Sequence, residues 1–353
     1  MWPAVPMTMG WIFMDSMERP RGRGPGSGAV WYTPMAPPMR FRTLRPWLLE
    51  TFGRPVHRVA LDAGSTCPNR DGTRGRGGCF YCDVEGSGTG ALRTGAGIAE
   101  QLERGIARVS RRDEDGGVIA YLQSYSNTYV EEGRLAEVLD VLRPRLAERG
   151  EVSPERPLVA VAVATRPDTI PDSALDLLAD FSRDVPVWME LGLETADDAI
   201  LLAINRLHTR AEFLDAVNRC RQRGLLTIGH AILGLPGDGR EGARRTAETL
   251  ARAGCSGVKV HHLMVLERTQ FAALWRRGEL ETLDAETFVQ WLADFVERLD
   301  PSQVLHRITG DSPADKLLAP KWGIHKNEIR RRLEEELARR GTRQGSAHSV
   351  RLG

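Results

Sequence analysis

Seven short runs rich in Val, Ile and Leu punctuate the chain, at Val56–Leu61, Val118–Gln123, Leu158–Ala164, Val187–Leu193, Leu225–Leu233, Val258–Leu263 and Val304–Ile308. Between most of them the apolar positions recur with a helical period, as in Ile98–Arg111, Leu135–Arg149, Ser173–Phe181 and Arg210–Arg223. Strand followed by amphipathic helix, repeated, predicts an α/β fold with a parallel sheet and crossover helices. Six or seven such units suit a partial or open (β/α) barrel, with its active site at the strands' C-terminal ends. Beyond Gly310, residues Asp311–Gly323 read as loop and Asn327–Arg340 as a charged helix.

Length and composition narrow this further. At 353 residues and 41% hydrophobic content, one large catalytic domain with short additions is expected. The formal charge is +1, so no global field draws the chain to nucleic acid or to an anionic membrane. Lysine occurs only at 259, 316, 321 and 326; the other 44 basic residues are arginines, a skew that suits a GC-rich genome. No eighteen-residue apolar run and no signal-peptide order are present, so a cytoplasmic enzyme with no membrane partner is expected. Residues 1–38, rich in Met, Pro and Gly and without periodicity, read as a disordered or over-called extension; 39–310 form the core domain, and 311–353 a loop and basic helical tail.

The chemistry concentrates in Cys67-Pro-Asn-Arg-Asp-Gly-Thr-Arg-Gly-Arg-Gly-Gly-Cys79-Phe-Tyr-Cys82, which holds three of the five cysteines. A disulfide would leave one thiol over. Structural zinc wants four closed ligands, and His57 is the candidate fourth. A [4Fe–4S] cluster on three thiolates leaves one iron open to a non-protein ligand, and that reading fits the set best. Cys220 and Cys255 lie in or beside helical stretches and read as small buried side chains.

The stretch CPNRDGTRGRGGCFYC, with its aromatic before the last cysteine and its long first gap, resembles the YhcC/YtqA family of radical S-adenosylmethionine (SAM) proteins, in the branch that contains the catalytic subunit of Elongator. The resemblance implies a barrel of the radical SAM type, a [4Fe–4S] cluster on Cys67, Cys79 and Cys82, and SAM bound beside it, with Tyr81 among the SAM contacts. It also implies an external one-electron reductant such as flavodoxin or ferredoxin.

Further motifs fall behind the strands. Gln123-Ser-Tyr-Ser-Asn-Thr128 stands where relatives bind the methionine amino group, which makes Gln123, Ser124 and Asn127 candidates. Thr165-Arg-Pro-Asp168 offers Arg166 for a carboxylate or phosphate, with Asp168 either orienting it or capping a helix. In Trp188-Met-Glu-Leu-Gly-Leu-Glu194 the two-residue period puts Glu190, Gly192 and Glu194 on one face, suited to ammonium and ribose groups. Asn205-Arg206 and His208 match the family's Ile-Asn-Arg element. Gly229-His-Ala-Ile-Leu-Gly-Leu-Pro-Gly237 resembles the element that cradles adenine, carried by Ile232, Gly234, Pro236 and Gly237. Lys259, His261 and His262, with His306-Arg307, end the last strands and are the substrate-facing candidates, Arg166 joining them. Arg70, Arg74 and Arg76 are expected to offset the cluster's negative charge, with Arg-Gly-Arg-Gly-Gly as an RNA-binding segment the alternative.

From Lys321 to Gly353 there are nine Lys/Arg against four Glu, and Arg330, Arg331, Arg332, Arg339 and Arg340 are the candidate tRNA contacts. The resemblance implies a branch whose members act largely on tRNA, especially on the C5 side chain of wobble uridine, which is the leading substrate. A small molecule or peptide is the alternative within the same chemistry. A non-catalytic, zinc-stabilised RNA-binding protein is the alternative outside it.

Overall fold

The computed structural model describes residues 39–83, 95–110, 116–146 and 157–348. All seven apolar runs are strands: β1 (Val56–Leu61), β2 (Gly117–Leu122), β3 (Leu158–Thr165), β4 (Val187–Glu194), β5 (Leu226–Leu233), β6 (Gly257–His262) and, after a short β7 (Val265–Leu266), β8 (Val304–Arg307). The seven pair in the order β1-β2-β3-β4-β5-β6-β8, every pair parallel. Within this sheet sequence neighbours are spatial neighbours, with only β7, which pairs outside it, intervening between β6 and β8, as suits an open (β/α) barrel.

The helices are α1 (Leu44–Phe52), α2 (Pro68–Asp71), α3 (Ile98–Ser110), α4 (Arg134–Leu142), α5 (Asp172–Phe181), α6 (Asp198–Ala203), α7 (Arg210–Gln222), α8 (Gly239–Arg252), α9 (Gln270–Arg276), α10 (Ala285–Arg298) and α11 (Lys326–Arg340). Their ends carry ordinary capping chemistry. Thr209 and Glu212 form a reciprocal capping box on α7, and Asp284 accepts from Glu286 and Thr287 N–H on α10. The helix expected over Leu135–Arg149 instead ends at Leu142 and tightens into a 3₁₀ turn over Arg143–Arg145, because Pro144 has no N–H with which to continue the ladder.

One correction concerns the segment read as loop. Leu317–Ala319 is a strand, β9, which pairs antiparallel with β7 and straps the C-terminal segment across the barrel's upper end. The expectation for residues 1–38 falls outside the described residues. Among the described residues no helix is long and apolar enough to cross a membrane.

Strand alternation sorts side chains between two compartments. From β4, Met189, Leu191 and Leu193 join the large core under the helices, whereas Trp188 joins the smaller apolar cluster inside the barrel. On β3, Val161 and Val163 face the helices while Ala160, Ala162 and Ala164 face inward, and those small side chains leave room for the fully buried Trp188. Helix α1 packs Leu48 and Trp47 against this inner cluster, with Trp47 and Trp188 ring centres 5.7 Å apart. The floor of the barrel is therefore filled and mainly apolar, with His306 packed on Trp188 (ring centres 5.3 Å apart) and bonded to Arg58 as its polar exception.

Candidate functional site

Cys67, Cys79 and Cys82 all line a cavity of about 570 Å³ at the C-terminal ends of the strands. Cys67 follows β1 at the position before α2, and the loop beyond is fastened to the connection between α6 and α7. The Asn69 amide donates to Asn205 O (2.6 Å) and Arg206 O (3.1 Å), and the Asn205 amide answers with Arg76 O (3.1 Å) and Gly78 O (2.8 Å). Asn205 and Leu207 both take positive φ, 56° and 62°, to present those carbonyls, a strain that the network around them holds in place.

Three donors approach the sulfurs. Asn69 Nδ2 lies 3.6 Å and Arg206 Nη1 3.9 Å from Cys79 Sγ, and Arg70 Nη2 lies 3.5 Å from Cys82 Sγ. Burial and the neighbouring Cys79 push the free Cys82 thiol up to about 12, with Arg70 opposing. A positive partner at each of these two sulfurs offsets charge on a bound thiolate. Of the three loop arginines, only Arg70 is shown bonded to a sulfur. Arg74 instead pairs with Glu212 (2.6 Å) and Asp168 (3.3 Å), and Arg76 is exposed beside Gly72. His57, the candidate fourth zinc ligand, stands at the start of β1 while Cys67 lies beyond its other end; the rise from His57 to Leu61 alone is ~13 Å.

Inside the cavity, Glu190 is the pivot. Its Oε2 accepts from Lys259 Nζ and bonds His230 Nε2 (3.2 Å), and Lys259 also donates to Tyr121 OH (3.0 Å). Burial alone would raise the Glu190 carboxyl, but Lys259 and His230 hold it well below the usual range. The same burial pulls Lys259 down to about 7 against the pull of Glu190. Glu194 has φ 69° at a bulge in β4 and lies 3.6 Å from Arg206, and any Cβ on Gly192 would strike the Glu194 and Arg206 side chains at 2.3 and 2.5 Å. Arg166 is locked by a two-pronged pair with Asp168 (2.9 and 2.7 Å) and donates to Arg206 O (2.8 Å). Asp168 therefore orients Arg166 and caps no helix, since α5 has no side-chain cap.

Tyr81, Gln123, Ile232, His261 and His262 also line the cavity. His262 is neutral, lowered to about 4 by burial, and its Nδ1 accepts from Gly310 N–H (3.2 Å), which leaves the ring proton on Nε2. Arg307 lines the cavity as well, whereas Ser124, Asn127, Gly234, Pro236 and Gly237 are not part of its wall. Asn127 gives its amide to Leu122, Ser124 and Ala164 carbonyls (2.9–3.1 Å), so it shapes the loop beneath, and Ser124 is fully buried beside it. Gly234, at φ 91°, faces Leu283 and Leu263, and Pro236 and Gly237 are exposed beyond the strand. Sequence reasoning missed Asn69, Tyr121 and His230. The last two sit inside apolar runs, and only the two-residue period read against a known register would have turned them inward.

The basic tail forms the expected helix, and most of its charges have partners. Arg331 pairs with Glu328 and Glu335, Arg332 with Glu328, Arg339 with Glu336, and Arg340 with Asp294, Glu297 and Glu336. The opposite face of α11 buries Ile329, Leu333 and Leu337 in the main core. Four of the five arginines expected to meet RNA thus have carboxylate partners within the fold, the Arg331 and Arg339 side chains being largely exposed.

The residues fit the expected cofactors. Beside the three thiols, Glu190 Oε1, Arg166 Nη1 and Arg206 Nε are buried at the cavity wall without a hydrogen-bond partner. Such groups are costly unless something pairs with them, and together they match a ligand bearing ammonium, carboxylate and hydroxyl groups.

A family model described as the Radical SAM superfamily matches residues 67–250, and one described as the Radical_SAM C-terminal domain matches 255–339. YtqA of Bacillus subtilis is 36% identical over 306 residues, 87% of this chain and 92% of its own. YhcC of Escherichia coli K12 is 35% identical over 276 residues, 78% of this chain and 85% of its own. A tRNA uridine(34) acetyltransferase of Dehalococcoides mccartyi is 26% identical across 50% of this chain and 38% of its own. Among solved structures, the archaeal Methanocaldococcus infernus Elp3 with an N-terminal deletion superposes with a TM-score of 0.64 at 17% identity, over 82% of this chain and 64% of that one.

Proposed function

The chain belongs to the radical SAM superfamily, whose enzymes use a [4Fe–4S] cluster and SAM, and from that premise we propose that Cys67, Cys79 and Cys82 hold the cluster and that the substrate is the C5 side chain of a tRNA wobble uridine. Membership sets aside the non-catalytic zinc-stabilised alternative. The observation that carries the reading is the convergence of all three thiols, with unpartnered buried polar atoms of Glu190, Arg166, Arg206 and Ser126, on one cavity.

When bound, the cofactors supply reductive cleavage of SAM to methionine and a 5′-deoxyadenosyl radical, with the electron drawn from a reductant such as flavodoxin or ferredoxin. The chain's own groups bind and orient. Arg70 and Arg206 offset thiolate charge at Cys82 and Cys79. Arg166, locked by Asp168, offers Nη1 to a carboxylate, and Glu190 offers Oε1 to an ammonium or hydroxyl. Tyr81 and Ile232 supply apolar wall for a flat ring, and His261, lowered well below its usual range by burial, stays an uncharged imidazole.

Similarity to the tRNA uridine(34) acetyltransferases supports the tRNA substrate. A small molecule or peptide is the second reading, favoured by the pairing of the tail arginines within the fold. Nucleoside mass spectrometry of tRNA from a deletion strain separates the two. We expect an altered wobble uridine that the wild-type gene restores and a Cys82→Ala copy does not. An unchanged tRNA profile points to the second reading.

A further inference from the structure

A second cavity, of about 640 Å³, adjoins the first and shares His262, Met264, Asp311 and Ser312 with it. Its outer wall is the C-terminal segment that β9 straps over the barrel, including Trp322, Lys321 and Lys326. One ligand commonly occupies roughly 300–1,000 Å³, so the 570 Å³ of the first cavity is largely taken once it holds a cluster and SAM. A substrate must then extend outward, and the second cavity is where the shared wall leads.

Basic residues mark the same place. Eight of the chain's 48 Lys and Arg residues line the two cavities, and these eight include all four of its lysines. Lys259 lies deep in the first cavity with Lys316 also on its wall, while Lys321 and Lys326 line the second. Everywhere else the chain's basic residues are arginines; here four of the eight are lysines, compact ammonium groups with three donors each. Lys321 and Lys326 are exposed; Lys326 lies 3.6 Å from the equally exposed Asp311, and Lys321 has no ion pair among the described residues.

We infer that the second cavity is the substrate's entry chamber and that Lys321 and Lys326 bind a phosphate of a nucleotide whose reacting end reaches inward past His262. The inference rests on assigning the first cavity to the cluster and SAM. Unlike the arginine face of α11, these two cations stand beside a cavity and can serve a ligand that also enters the barrel.

The test uses full-length, iron-loaded protein and a Lys321→Gln/Lys326→Gln double variant. Both ligands carry the same chemistry, so affinity is measured for bulk tRNA and for uridine 5′-monophosphate across a salt series. Loss of affinity for tRNA in the variant, by about tenfold with a salt slope shallower by about two, supports the chamber with RNA as its source. The same loss for the mononucleotide alone supports it with a free nucleotide as source. Iron content and substrate-free SAM cleavage should stay at wild-type values, since both lysines are exposed and lie outside the first cavity's wall. Unchanged affinity for both ligands overturns the inference, and so does wild-type protein that binds neither while still cleaving SAM, a result that leaves the radical SAM reading intact. An unaltered wobble uridine in a deletion strain, by contrast, removes the tRNA reading without touching mononucleotide binding.

Discussion

Glu190 shows how much a single buried charge depends on its company. It is almost wholly buried, shares one oxygen between Lys259 and His230, and has no hydrogen-bond partner for the other among the described residues. Removing one partner of a buried ion pair strands the other, which typically costs about 3–5 kcal/mol, whereas removing both is far less damaging. Lys259→Met should therefore destabilise the protein by about 3 kcal/mol in urea titration, and the Glu190→Gln/Lys259→Met double variant should recover at least half of that. Additive losses would mean that the two side chains do not act as a pair. Residues of this kind were unevenly legible. The cysteines announced themselves by spacing, and Glu190 and Lys259 by polarity at strand ends. Tyr121 and His230 are camouflaged within apolar runs, and Asn69 is one polar residue among many in a loop.

At the scale of elements, α11 looks from its sequence like a solvated basic helix but is a clamp. Asp294 on α10 bonds Arg240 and Arg244 from α8 and Arg340 from α11, drawing three helices together. Burial would raise its carboxyl, but the three guanidinium groups hold it well below the usual range. The sign of the pH effect follows. A folded value below the unfolded one means that the unfolded chain binds more protons, so this contribution is full above the unfolded value near 4 and is lost as pH falls through the folded one. Asp294→Asn should lower stability at pH 7 by on the order of 2 kcal/mol and flatten the acid limb of a stability–pH curve. An acid limb as steep as the wild type's would place the effect elsewhere. The sequence predicted this helix to within a residue at its start, over Asn327–Arg340, yet could not reveal its partners, which lie more than forty positions away.

At the scale of the whole molecule, the seven apolar runs became seven parallel strands with ends displaced by at most about one residue, because continuous burial on both faces leaves an unmistakable pattern. The β7–β9 strap was not legible: two- and three-residue strands carry no period, and their pairing depends on the barrel being already in place. That strap creates the second cavity, so the part of the molecule that faces substrate is also the part that the pattern of the chain conceals. The cofactor end is the reverse, written into sixteen consecutive residues. Its most direct test is anaerobic reconstitution with iron and sulfide, followed by SAM and a strong one-electron reductant. Wild-type protein should hold about four irons and four sulfides and release 5′-deoxyadenosine, with Cys82→Ala losing that product and Cys220→Ala retaining it. Tightly bound zinc without sulfide, or 5′-deoxyadenosine undiminished in Cys82→Ala, would contradict the assignment of Cys67, Cys79 and Cys82 as the cluster's ligands.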